Sequence, residues 1–512
     1  MNETNFEEKL NIMKNRLTYT FLVYITIGVF SSSIAQIQIG SDIDGESANN
    51  SSGASVYMPN NQTVAIGSPS NDDVGSGSGQ VRIYSWNGSS WVQKGDDIHG
   101  RASFDKAGTC VTMPNENTVG FLAPGGASSA NSTGRVEVHT WNGTVWIQKG
   151  GDIVGPSGAE AFRNSIKNSI SMPDENTLAV GAIGSSTWTE NPNGKVFIFT
   201  WDGNNWIQKG SAIVGEASGD LAGYSVSMGD ENTIAIGSHQ NDANGADAGQ
   251  AQIFMWDGND WVQKGSDIHG LAAGDNFGVT LSMYGPNTVA VGSPNADAPG
   301  LYNSGQARVF TWNGTNWIQK GGAIDGKFIG EAFGFSIAMG NDNTVSVGAR
   351  YTSESFTNSG STRVYEWDGS GWNQVGNDVN GEAQDDESGY SISMGDASTV
   401  AIGSIRNNGN GNDAGHVRLF QFSPTSTIAE NSEINDFTLY PNPVKSNVYI
   451  RSIESWEDVS IDVKNAIGQS IDIEQKIYNN IMEINLEENN SGIYFMEIKR
   501  GKSKHVLPLI KE

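Results

Sequence analysis

Carboxylates and their amides are the main chemical resource of this chain. Asp and Glu number 57 against 30 Lys and Arg. One such side chain returns at a fixed place in a repeating unit, at Asn50, Asp105, Asn164, Asp220, Asp275, Glu331 and Asp386. A ring of this kind has two uses. It can attract a cation or a basic ligand, or each side chain can bond the backbone amides of its own turn, as Asx-type turns do. Glu331 fits the second use less well, being longer. A second set lies in longer segments: Asn71-Asp72-Asp73, Asn241-Asp242, Asn295 with Asp297, and Asn407 to Asp413. These suit hydrogen bonding to sugars or loop-held Ca²⁺, and they are also ordinary turn formers. No catalytic constellation accompanies them. The six His residues are scattered, and neither a His-Glu-x-x-His run nor a nucleophile elbow occurs. The single cysteine, Cys110, excludes an internal disulfide and a cysteine zinc site. No catalytic residue, metal site or cofactor is therefore expected, and a carboxylate pair among so many acids is the competing chemistry.

The elements that must position these residues form a repeat. Trp-[Asn/Asp]-Gly-x-x-Trp begins at Trp86, Trp141, Trp201, Trp256, Trp312 and Trp367, in steps of 55 to 60 residues, and Phe422 starts a degenerate seventh copy. Each unit carries four strand signals, such as Ser225–Met228, Thr233–Ile236, Ala251–Trp256 and Trp261–Lys264. The Asp257-Gly258 turn sets two Trp residues opposite each other across a hairpin. Seven such units describe an all-β, seven-bladed β-propeller. Its last unit lacks a fourth strand after Val417–Phe422, while Gln36 to Gly45 aligns with the fourth-strand stretch Trp261 to Gly270. The mature N-terminus is thus expected to complete the last blade, with Ile37 and Ile39 on one face. Second-to-third loops and blade crossings share one end of the disc, vary in sequence and accept the insertions, so that end is the expected binding face. The paired Trp residues sit beside the invariant turns, which favours structural packing over sugar stacking. Cys110 takes a Ser/Thr position in a first strand and is expected to be buried and inert.

Length, charge and the two ends complete the outline. A chain of 512 residues with 64 Gly, 17% charged residues and a net charge of −27 is acidic and β-rich, and nucleic acid or an anionic membrane is an unfavourable partner. Residues 1–35 have the build of a secretory signal peptide. An apolar stretch from Leu17 to Phe30, too short for a membrane anchor, follows Lys14 and Arg16 and ends at Ser33-Ile34-Ala35. Translation is expected to start at Met13. The propeller spans 36–422, a polar linker 423–433, and a small antiparallel β-sandwich 434–512.

Two resemblances add to this reading. Phe277-Gly278, Phe333-Gly334, Gly292-Ser293-Pro294 and Gly67-Ser68-Pro69 resemble FG-GAP repeats, the blades of integrin-α-type propellers. The calcium loop of such repeats is missing, because the first connection is only Gly229-Asp230-Glu231-Asn232 or its equivalents. The C-terminal segment resembles the type A sorting domain of the Bacteroidetes type IX secretion system. The residues that carry this are Tyr440-Pro441-Asn442-Pro443, Gly468, and Gly492 with Tyr494 in the last hairpin. That resemblance implies export across both membranes and partners in the type IX machinery and its sortase. The expected function is a secreted or cell-surface, monomeric, non-enzymatic binding or adhesion propeller for a protein or glycan. The alternatives are a glycan-degrading enzyme with a carboxylate site at the channel mouth and a structural surface component.

Overall fold

The computed structural model describes residues 36–125, 133–156, 162, 168–183, 193–422 and most of 437–511. The expected signal segment and linker lie outside the described residues. The chain divides into two compact units, residues 1–425 and 426–512.

Among the described residues, the first unit is seven antiparallel sheets, numbered here in chain order of their first strands. The fourth sheet shows the pattern: Ser225–Asp230, Thr233–Ser238, Gln250–Trp256 and Trp261–Gln263, with Ile268–His269 paired to the third strand. The first strands pack against one another in a closed cycle, and Ser55–Asn60 touches both Cys110–Asn115 and Ser388–Met394. Second strands such as Thr63–Ser68 are buried at every residue. Their Thr-Val-Ala-Ile-Gly-Ser composition, β-branched or small throughout, suits a strand covered on both faces. The architecture is that of a β-propeller.

Hydroxyls join neighbouring sheets near the axis. The amides of Met58, Met172, Met228, Met283 and Met339 donate to Ser393, Thr112, Ser171, Ser227 and Ser282 of the preceding sheet, at 2.9 to 3.1 Å. Ser55, Ser225, Ser336 and Ser391 donate to glycine carbonyls of the following sheet at 2.7 to 2.8 Å. Cys110 takes that position in the second sheet and is buried. The seven repeated Met residues line an axial cavity of about 340 Å³ toward the short-turn end.

At the outer rim each Trp pair faces across its hairpin, Trp256 opposite Trp261, with ring centroids 5.4 to 5.6 Å apart in all six pairs. The second Trp of each pair donates its indole N–H to a carbonyl of the preceding sheet. Five of these carbonyls belong to Lys94, Lys149, Lys209, Lys264 and Lys320. The ammonium of the same lysine lies 5.1 to 5.7 Å from both indoles. It also bonds the next first turn, as Lys94 Nζ does at Glu116 O (2.5 Å) and Asn117 Oδ1 (2.9 Å). The tryptophans are thus packing and latching residues.

The fourth strand departs from the expected single run. In five sheets and in the closing segment it breaks into a three-residue and a two-residue piece, and only Trp372–Asn380 is continuous. The break falls at glycines such as Gly95, whose φ of +80° suits Gly and whose missing Cβ makes room for Trp141 of the next sheet. In the seventh sheet the outer pieces are Gln36–Gln38 and Ile43–Asp44, pairing Gln36 with Phe422 and Ile43 with Val417. Ile37 and Ile39, expected on one face, differ: Ile37 is exposed while Ile39 is half-buried against the core, because the first piece ends at Gln38 and Ile39 already belongs to the break that leads into Gly40.

The second unit, described by itself, holds two four-stranded antiparallel sheets. Val448, Ile450, Met482 and Ile484 of one and Val463, Met496, Ile498 and Leu509 of the other share one core. Gly492–Arg500 and Ser503–Lys511 form the final hairpin. Tyr494 is buried there and donates its hydroxyl to Asn490 O at 2.7 Å. Phe437–Tyr440 pairs with Asn447–Ser452, while Pro441, Asn442, Pro443 and Gly468 lie outside the described residues.

Candidate functional site at the long-loop mouth

The repeated polar position is a turn device. Asp105 accepts from the amides of Arg101 (2.7 Å) and Ala102 (3.1 Å), and Asp275 from Leu271 (3.1 Å) and Ala272 (2.9 Å). Asp386 accepts from Glu382 (2.9 Å) and Ala383 (2.8 Å), and Asp220 from Ala217 (3.1 Å) and the Asn241 amide (2.9 Å). Asn50 accepts from Ser47 Oγ (2.9 Å). Asn50, Asp220, Asp275, Glu331 and Asp386 are buried, Asp105 is half-buried, and Asn164 lies outside the described residues. Glu331, the poor fit, reaches the amides of Lys327 and Phe328 and forms a bidentate pair with Arg363 at 2.9 and 2.7 Å. Burial works against the charge of Asp105, yet the Arg135 guanidinium at 2.8 Å and the two amides hold its carboxyl below the usual range. Asp105 and Glu331 thus meet cations of their own chain.

The loop residues serve the loops. Asp72, Asp242 and Asp297 accept from the amides of Gly77, Asp247 and Asn303 at 2.6 to 2.8 Å. Asp73 accepts from Asn71 Nδ2 at 3.1 Å, and Asp413 occupies a left-handed turn position with φ of +51°. Backbone bridges such as Gly79 to Ala107 and Gly249 to Phe277 tie each loop to the following crossing. Loops and crossings do share one end of the sheets.

At the axial side of that end a different group converges. Tyr224, at the start of the fourth sheet, packs against His239, with centroids 3.8 Å apart and the rings tilted by 44°. Phe335 of the sixth sheet meets Tyr390 of the seventh at 5.4 Å. The Arg350 guanidinium lies 3.9 Å from the Phe335 centroid, 4.3 Å from Tyr351 and 5.6 Å from Tyr390. Glu387 stands between two guanidiniums, 3.8 Å from Arg350 and 3.2 Å from Arg406. Burial raises the Tyr224 hydroxyl above its ordinary value, with lesser and opposing contributions from Tyr390 and Arg350. Burial alone pushes His239 down to about 4, leaving it a neutral ring at physiological pH.

None of these residues is among the expected site residues. The signal that finds them is departure from the repeat. After the glycine that opens each first strand, other units carry Ala54, Thr109 or Val279, whereas three carry Tyr224, Phe335 and Tyr390. After Gly-Ser or its equivalent, three units carry Pro69, Pro124 and Pro294, whereas His239 and Arg350 take that place here.

Residues 438–512 match the family described as the secretion system C-terminal sorting domain. The second unit is therefore a type IX sorting domain, the signal for export to the cell surface or the extracellular space. No curated protein matches the chain. Propeller-like solved structures do. The GH74 enzyme of Niastella koreensis has 11% identity and a TM-score of 0.44 over 91% of this chain and 67% of its own. The periplasmic gluconolactonase PpgL of Pseudomonas aeruginosa has 13% and 0.44, over 68% and 97%. The β-propeller domain of the Trilobed protease from Pyrococcus furiosus has 11% and 0.38, over 68% and 90%. At this distance no activity passes from them to this chain. No helix among the described residues is long and apolar enough to cross a membrane.

Proposed function

We propose that the first unit is a seven-bladed propeller, closed by the mature N-terminal strand, that acts outside the cell as a non-enzymatic binding module. The FG-GAP-like reading of its repeats rests on Phe277-Gly278 and Phe333-Gly334, whose Phe side chains are fully buried. The ligand enters at the long-loop mouth, where aromatic faces, two guanidiniums and one carboxylate converge. That set fits a sugar ring bearing an anionic substituent: Tyr224 and Tyr390 supply stacking faces, and Arg350 and Arg406 the charge. The observation that carries this reading is that three units break the repeat at the same positions and bring the unlike residues together. Glu387 sits against two arginines and suits an anchor that holds both guanidiniums in place.

Glycan-array binding by residues 36–512, beside the Tyr390→Ala and Arg350→Ala variants, tests the proposal. Retained binding to anionic glycans, lost in both variants with unfolding temperature near the parent, is the expected result. Polysaccharide cleavage abolished by a single Asp→Asn or Glu→Gln change would replace it with the enzyme reading.

A further inference from the structure

The sheet that closes the ring contains a side-chain cluster unlike its counterparts. Asp44 pairs with His416 across the ladder, and Asp42, two residues earlier, lies near the same ring. Ligand atoms of Asp42, Asp44 and His416 all lie within 4.8 Å of one another. His416 Nδ1 is 3.5 Å from Asp42 Oδ2 and 4.0 Å from Glu382 Oε2. His416 is 0% exposed, and neither ring nitrogen has a hydrogen-bond partner. At the same repeat position Gln80, Gln250 and Gln306 donate their amides to Glu46, Glu216 and Asp325. The seventh sheet thus replaces an amide that donates to a carboxylate with a fully buried imidazole facing carboxylates.

We propose that Asp42, Asp44 and His416 bind a first-row divalent metal ion of the zinc class. One imidazole and two carboxylates form a mixed nitrogen–oxygen set, which suits Zn²⁺ and its neighbours better than the all-oxygen preference of Ca²⁺ or Mg²⁺. Bonds of about 2.1 Å in a tetrahedron put ligands roughly 3.4 Å apart, close to the 3.5 Å between His416 Nδ1 and Asp42 Oδ2. Two carboxylates balance the charge of the ion. Glu382 is the nearest further oxygen donor, and its Oε1 is held by Arg418 at 3.3 Å. The ligands come from the two ends of the propeller unit, so the ion clips the one sheet whose strands are not consecutive in the chain. The same repeat positions in the first sheet hold Asp97 and His99, which meet Asp73 in a more open cluster. That cluster serves as the control.

The test uses residues 36–512, stripped with a chelator and titrated with Co²⁺ while the visible absorption of the bound ion is followed, then with Zn²⁺ during thermal unfolding. Expected are one Co²⁺ band displaced by Zn²⁺ and a rise of several degrees in unfolding temperature. Both should fall at least tenfold in apparent affinity in His416→Gln, the side chain that three other sheets use there, and should persist in Asp97→Asn. Asp42→Asn gives the same readout should His416→Gln fail to fold. No Co²⁺ band in the parent would overturn the proposal. A band unchanged in His416→Gln and Asp42→Asn, or lost only in Asp97→Asn, would overturn it as well.

Discussion

The outer rim and the long-loop mouth of the propeller unit are built on opposite plans. At the rim, one contact recurs: an indole N–H on a lysine carbonyl, with the ammonium of that lysine over the Trp pair. At the mouth, three sheets supply residues that the others do not have. The repeated contact adds one increment at each junction, as nearest-neighbour terms do in repeat proteins. The unrepeated contacts make a site with one composition and one orientation. The rim has its own exception. Ile39 and Val375 take the lysine position at the two junctions of the seventh sheet, and Phe422 stands where a Trp pair would begin.

The exception predicts the largest effect. Removing residues 36–45 unpairs His416–Phe422 from Gln36–Gln38 and Ile43–Asp44 and uncovers the cluster that includes Ile43, Val417 and Leu419. The lost ladder and apolar burial come to several kcal/mol, a large share of ordinary domain stability. Thermal unfolding of 46–512 against 36–512 should show a drop well beyond ten degrees. An unchanged unfolding temperature would remove the seventh sheet from the comparison.

Next in size is the buried charge of the sixth sheet. Arg363 is fully buried, bidentate on Glu331 and 2.6 Å from Asp378 through Nε. Arg363→Met leaves buried Glu331 without its cation and Asp378 with Lys327 alone, and should cost about 3–5 kcal/mol, read from denaturant midpoints. Arg363→Met with Glu331→Gln and Asp378→Asn should recover part of that loss, because the uncompensated charges are then gone.

The latch itself is smaller. Lys94→Met removes the ammonium over Trp141 and Trp146 and the bonds to the next turn, but keeps the backbone carbonyl that Trp146 uses. A loss of about 1 kcal/mol is expected, with glycan binding unchanged. A larger loss in binding than in stability would break the division between rim and mouth.

How much of this was legible in the sequence follows the same division. The Trp-Asn/Asp-Gly motif and its spacing reveal the hairpins, the sheets and the completing N-terminal strand, because those features repeat and each copy supports the others. The carboxylate positions were legible as a pattern, with two uses left open. Which use holds depends on whether nearby amides point at the side chain, and that needs the folded turn. The mouth was not read from the pattern, since aligning repeats rewards agreement and hides Tyr224, Phe335, Arg350 and Tyr390, which disagree. His416 escaped notice for the same reason. Its chemistry arises from Asp42 and Asp44, more than 370 residues earlier in the chain.

The smallest effect tests the mouth by pH. His239 is buried against Tyr224, and its folded pKa lies at about 4, against about 6.5 in an unfolded chain. Protonation therefore favours the unfolded state. Above pH 6.5 both states hold a neutral ring and the contribution is fully present. As pH falls from 6.5 the unfolded chain takes up a proton that the folded one refuses, and stability declines until about pH 4, where the folded ring also charges. The full difference corresponds to at most about 3 kcal/mol, of which about 1 kcal/mol has been lost by pH 5.5. Carboxylates that the fold holds at low pKa, such as Asp105 and Asp378, contribute above their unfolded values and begin to be lost only nearer pH 4. Urea midpoints at pH 7.5, 6.5 and 5.5, compared between the parent and His239→Phe, thus isolate His239, because the other five histidines are common to both. The parent should lose about 1 kcal/mol more than His239→Phe across that window. Parallel curves for the two would mean that the histidine charges freely in the folded state, so that the mouth is wetter than its packing implies.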